Sequence, residues 1–211
     1  MTESGGEEPT GHNYAVLARH ERFAGAIFSV VSDEVAMPGS GRAVRDYTRN
    51  LGAVAVVALR EDGRVVLVRQ YRHPVRAYLW ELPAGLLDVP GEPPVSTAER
   101  ELAEEADLTA GRWDLLVELH TSPGYSDEFM RVFLARELEP VPQTRRHHRH
   151  NEEADMVVRT VDLDEAVAMV LRGEITNAAA VAGLLAAARA RDEGWAPLRP
   201  LDGGHPPKIA V

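Results

Sequence analysis

The chain has 211 residues, a formal net charge of −10 and no cysteine. Disulfides, thiolate metal sites and a cysteine nucleophile are excluded. The acidity argues against a protein that tracks a nucleic-acid backbone, because phosphates are repelled without a basic face.

Apolar residues make up 45% of the chain and are patterned, so a core can form. No run reaches the roughly 18 apolar residues of a membrane span, and the N-terminus lacks the basic, apolar pattern of a secretion signal. The expected location is cytoplasmic, with which the absence of cysteine is compatible.

In chain order, residues 1–13 are polar and Gly-rich and read as disordered. Two β-like runs follow at 27–31 and 42–47, separated by a turn at Met37-Pro-Gly-Ser-Gly. Residues 14–50 therefore read as an N-terminal β arm or subdomain. Gly52–Leu59 is a continuous apolar run suited to a strand buried on both faces. Glu61-Asp62-Gly63 is a hairpin turn, and Arg64–Tyr71 is the returning strand. Tyr78–Pro83 leads into a loop at Gly85, and Trp113–His120 and Phe129–Leu134 alternate as strands do.

Between those two strands, residues 122–128 are turn formers and polar groups. Residues 136–155 form a charged, irregular stretch whose His147, His148 and His150 fit no regular two-ligand face. Met156–Val161 is a strand. A helix starts at Asp162 and stops at Gly173, and an Ala-rich helix spans Asn177–Arg191 with Leu184, Leu185 and Ala188 toward a core. The tail at 194–211 reads as a loosely packed extension. Strands on both sides of two main helices give an α/β (α+β) sandwich with a mixed sheet, with its catalytic domain at 51–193.

One stretch organises the rest. Arg100-Glu101-Leu102-Ala103-Glu104-Glu105 lies in a short helix after the Pro- and Gly-rich loop that begins at Gly85. Glu101 and Glu105 are four apart and share a face with Glu104 beside them, while Ala98, Leu102 and Ala106 form an opposite apolar stripe. Like charges at that spacing destabilise a helix by roughly 0.2–0.5 kcal/mol per pair. A hard cation with a preference for oxygen ligands reverses the sign of that interaction. Ser96-x-x-Glu99 fits a capping box at the helix start. At its end, Asp107 stands where a left-handed Gly is the usual stop.

Gly85, Glu92, Arg100-Glu101, Leu102, Glu104-Glu105 and Leu108 resemble the signature box of the Nudix hydrolases. Six residues, where the family has five, separate Gly85 from Glu92, and Asp107 replaces the box's last Gly. Neither departure removes a carboxylate. The resemblance implies a Nudix-type α/β/α sandwich and hydrolysis of a diphosphate linkage with Mg²⁺ or Mn²⁺. It implies Glu101, Glu104, Glu105 and the backbone carbonyl of Ala84 as metal ligands. Arg100 is implied to hold a ligand Glu in place by a charge-assisted hydrogen bond.

Relatives that hydrolyse ADP-ribose place a general base in a loop after the sheet, where this chain has Glu152 and Glu153, of which Glu153 is preferred. They also carry a Pro about sixteen residues beyond the box, and Pro123 stands sixteen after Asp107. Arg72 and Glu128 match substrate-contacting positions in such relatives. The resemblance implies ADP-ribose as substrate, AMP and ribose 5-phosphate as products, and a homodimer formed through the N-terminal arm. Two alternatives are another nucleoside diphosphate derivative as substrate, and a non-catalytic ADP-ribose sensor. Retention of all three Glu ligands disfavours the sensor.

Overall fold

The computed structural model describes residues 13–147 and 155–201. It opens with a three-stranded antiparallel sheet, β1 (Val16–Ala24), β2 (Phe28–Ala36) and β3 (Arg42–Asn50), where the sequence predicts two shorter runs. The unforeseen β1, VLARHERFA, lacks clean apolar alternation and depends on β2 for its pairing. Arg19 of β1 donates to both carboxylate oxygens of the buried Asp33 on β2, at 2.7 and 2.8 Å, and Tyr47 of β3 donates to the same group at 3.0 Å. The Arg19 hydrogen bonds hold the Asp33 carboxyl below its ordinary range.

β4 (Ala53–Ala58) is buried at every residue. Val54, Val56 and Ala58 pack with the apolar face of α1 (Pro94–Ala106), while Ala55 and Val57 pack with α2 (Leu163–Leu171) and α3 (Ala178–Asp192). Helices thus cover both faces, which is why the strand reads as an uninterrupted apolar run. Gly183 lets α3 lie close, since a Cβ there would meet Leu82 Cδ1 at 2.8 Å.

The turn at Glu61–Gly63 forms, with Gly63 at φ 81°. Its two strands do not extend into a hairpin ladder, however. β5 (Arg64–Arg72) pairs with the preceding segment next to the turn, through the Arg60 N–H to Arg64 carbonyl bond and the Leu59–Val65 bridge. A strand has two edges, and those of β4 are taken by β7 (Ala84–Leu86) and, in parallel, by β9 (Phe129–Pro140). β5 instead pairs with β6 (Ala77–Glu81) and β10 (Val157–Asp162). The result is two sheets, β10-β5-β6 and the mixed β7-β4-β9-β8, with β8 at Leu108–His120.

Two further expectations are corrected. α1 begins at Pro94 with Pro93 as its N-cap, so Ser96 lies inside the helix and makes no capping box. Proline at the first helical position needs no N–H partner and arrives with helical φ. Leu185 is 40% exposed, because the buried stripe of α3 runs through Ala180, Leu184 and Ala187. The described part of the C-terminal tail is largely exposed but tethered to the sandwich. Arg199 and Leu115 exchange backbone hydrogen bonds, and the Arg136 guanidinium lies 4.8 Å from the Trp195 ring centre. No helix among the described residues is long and apolar enough to cross a membrane.

Candidate active site

β7 and α1 meet where the Gly85 loop leaves the sheet. β7 is a three-residue strand held on the edge of β4 by the pairs Ala53–Leu86, Val54–Gly85 and Ala55–Ala84. α1 presses Ala98, Leu102 and Ala106 into the core beneath it and turns its acidic face toward β7. Asp107 ends the helix at φ 56°, ψ 36°, the left-handed conformation that the sequence assigns to it, and its N–H donates to the Leu102 carbonyl.

Two contacts set the geometry. Glu105, only 4% exposed, accepts a 2.9 Å hydrogen bond from the Ala84 N–H. Gly85 lies directly against Glu101, and a Cβ at Gly85 would fall on the Glu101 carboxyl group and its Cγ. A side chain at residue 85 would therefore have to displace the Glu101 carboxyl group.

Arg100 supplies local counter-charge. Its Nη1 donates to Glu101 Oε1 at 2.6 Å and lies 3.5 Å from Glu104. Its buried Nη2 is 3.6 Å from Glu92 and 3.7 Å from Asp88, outside hydrogen-bonding distance. Burial pulls this guanidinium's pKa down, but Glu101, Glu104 and Glu92 raise it by more, so the net shift is upward. Thr97 donates to Glu92 at 2.7 Å, which fixes the loop's one box carboxylate against the helix.

The donor set is all oxygen: the carboxylates of Glu101, Glu104 and Glu105 and the Ala84 carbonyl. Hard divalent cations take such ligands. By donor chemistry the residues fit a Mg²⁺-type ion. Among the described residues no three His or acidic side chains already converge as a ready-made metal cluster. Arg100 lies against Glu101 in this arrangement.

Arg72 ends β5, with its fork laid across Glu81 at 3.0 and 2.7 Å. Glu81 is 1% exposed and also lies 3.4 Å from Gln70 Nε2, so its charge is held almost wholly by the protein. Sequence reasoning missed Glu81. The available signal was an acid inside the apolar run YLWELP, three residues before Ala84. Glu128 stands at the head of β9, where its carboxylate accepts from Thr121 and its N–H donates to Ser126 Oγ at 3.1 Å. β9 adjoins β4 at the end where β7 pairs, with Ala53 opposite both Met130 and Leu86, so Glu128 belongs to the same end of the sheet. Glu152, Glu153, His148 and His150 lie outside the described residues. A cavity of about 370 Å³, lined by Arg60, Arg112, Arg136 and Trp195 among others, lies at the far end of β4 and shares no residue with this cluster.

The NUDIX domain family matches residues 49–183. The chain belongs to the Nudix family. It is 48% identical over 191 residues to an ADP-ribose pyrophosphatase of Mycobacterium tuberculosis, covering 90% of each chain. It is 34% identical over 162 residues to an ADP-ribose pyrophosphatase of Bacillus subtilis, covering 77% of this chain and 85% of that one. A crystal structure of an ADP compounds hydrolase superposes with a TM-score of 0.73 at 22% identity, covering 87% of this chain and 97% of that one. That likeness bears on the fold alone. The Nudix box of the sequence falls on the β7–α1 junction of this Nudix protein.

Proposed function

We propose that this Nudix hydrolase cleaves the diphosphate linkage of ADP-ribose to AMP and ribose 5-phosphate, with Mg²⁺ as the working ion and Mn²⁺ as a substitute. The observation that carries this reading is the close seating of Glu101 and Glu105 on Gly85 and Ala84. The likeness to two ADP-ribose pyrophosphatases over most of the chain supports the choice of substrate.

When bound, a divalent ion neutralises diphosphate charge and acidifies a water molecule. Glu101, Glu104, Glu105 and the Ala84 carbonyl would hold it. Arg100 orients Glu101 through the 2.6 Å bond. Arg72, fixed in its fork geometry by Glu81, presents a cation to the substrate's phosphates or sugar hydroxyls. Glu128 accepts from a hydroxyl of the terminal ribose. The proton of the attacking water is assigned, on the sequence alone, to Glu153 or its neighbour Glu152. Incubation of the purified protein with ADP-ribose and Mg²⁺ is expected to release AMP and ribose 5-phosphate in equal amounts. If a nucleotide sugar or NADH were hydrolysed while ADP-ribose stayed intact, the substrate assignment would fall and the site would stand.

The N-terminal sheet is proposed to pair two copies of the chain. Leu17, Phe23, Ile27, Phe28 and Val44 are exposed apolar residues on it, a concentration expected of an interface and unusual for a free surface. Light scattering coupled to size exclusion is expected to give twice the 23.1 kDa chain mass. A mass of one chain at micromolar concentration would remove the dimer.

A further inference from the structure

The N-terminal sheet is joined to the catalytic sandwich by a specific seam. Strand β3 lies beside the loop at 121–128, with Thr48 and Ser126 forming a parallel bridge. Thr48 N–H donates to the Tyr125 carbonyl at 2.8 Å, and Asp127 N–H donates back to the Thr48 carbonyl at 3.1 Å. Asn50 closes the seam with both its backbone and its side chain, whose Nδ2 also lies 3.5 Å from Asp127 Oδ1. Its backbone N–H donates to Asp127 Oδ1 at 2.8 Å, and its side-chain Nδ2 donates to Ser126 Oγ at 3.0 Å. Ser126 Oγ is also the acceptor for the Glu128 N–H.

We propose that Asn50 and Ser126 are positioning residues that set recognition of the substrate's terminal sugar, by holding Glu128 through the relay Asn50 Nδ2–Ser126 Oγ–Glu128 N–H. This deepens the proposed function and rests on its placement of Glu128. An eight-residue connection between two strands is free to sample many conformations, and ordering it costs conformational entropy. Here a strand 76 residues away in sequence supplies the ordering before substrate arrives. Pre-organised contacts of this kind raise affinity by lowering what binding must order.

Because Glu128 is placed at the terminal sugar, the effect is expected on substrate binding and not on the chemical step. It also gives the N-terminal sheet a part in specificity separate from pairing subunits, because β3 meets the loop of its own chain.

Asn50→Ala removes the relay's first bond and leaves the backbone bond to Asp127. It is expected to raise KM for ADP-ribose about three- to tenfold, as loss of one hydrogen bond does, with kcat within about twofold. Ser126→Ala is expected to do the same, and it serves if Asn50→Ala fails to fold. Asn50→Ser, which keeps a short donor, should recover part of the loss. The decisive measurement is the double variant with Glu128→Gln. If Asn50 acts through Glu128, its substitution adds little further to KM once Glu128 is altered. Full additivity, or a wild-type KM for both Asn50→Ala and Ser126→Ala, would overturn the proposal. A wild-type KM for Glu128→Gln alone would also overturn it, while leaving the pyrophosphatase reading intact.

Discussion

Gly85→Ala is expected to lower kcat/KM by about 10²-fold with little change in melting temperature. The added Cβ would land on the carboxyl group of Glu101, and misplacing a catalytic group by about 1 Å costs on that order. Backbone strain is not the cause. Gly85 does not occupy the left-handed region, unlike Gly52, Gly63 or Gly91, so alanine can adopt its dihedrals. The overlap is with a side chain, so the fold can accommodate the methyl group by letting Glu101 swing aside. What is lost is the position of Glu101. Steady-state kinetics beside a thermal melt separates the two effects. Wild-type kinetics in a folded Gly85→Ala variant would show that the close approach has no part in the chemistry.

Glu105→Gln is expected to lower turnover by about 10²–10³-fold, comparable to removing one preorganised electrostatic group from an active site. The amide keeps the shape of the side chain and an oxygen to accept from the Ala84 N–H, so the seat on β7 survives. The negative charge does not. Glu105 is almost fully buried beside two other carboxylates, and a buried charge kept among like charges raises the free energy of the fold. Stability should therefore hold or rise slightly as activity falls. Calorimetric titration with Mn²⁺ should show weakened binding in parallel. Undiminished turnover at saturating metal would separate Glu105 from the ligand set.

Much of this site can be read along the chain because its parts lie close in sequence. Glu101, Glu104 and Glu105 share a face by helical periodicity alone, and Ala98, Leu102 and Ala106 fall on the opposite face for the same reason. Asp107 is of a residue type that tolerates the left-handed cap. Long-range partners were not legible. β1 carries no alternating pattern and exists because β2 offers it an edge and Asp33 offers Arg19 a partner. Leu185 satisfies helical spacing as well as Leu184 does, yet only the packing of α3 on β4 decides which is buried. The Ser96 capping box fits by type and spacing, and Pro93-Pro94 overrides it by starting the helix earlier.

By itself the sequence determined the acidic helix and the two-sided burial of Gly52–Leu59, since each follows from periodicity or residue chemistry within about twenty positions. The tertiary structure decided that Glu105 rests on Ala84, that Gly85 must be bare against Glu101, and that Glu81 braces Arg72. It also split the expected hairpin between two sheets and tied Asn50 to the Glu128 loop. The physical reason is common to all of these. A hydrogen bond or a close contact between distant segments depends on which strand edges are already taken and on how near two backbones can pass, and neither is written in local spacing.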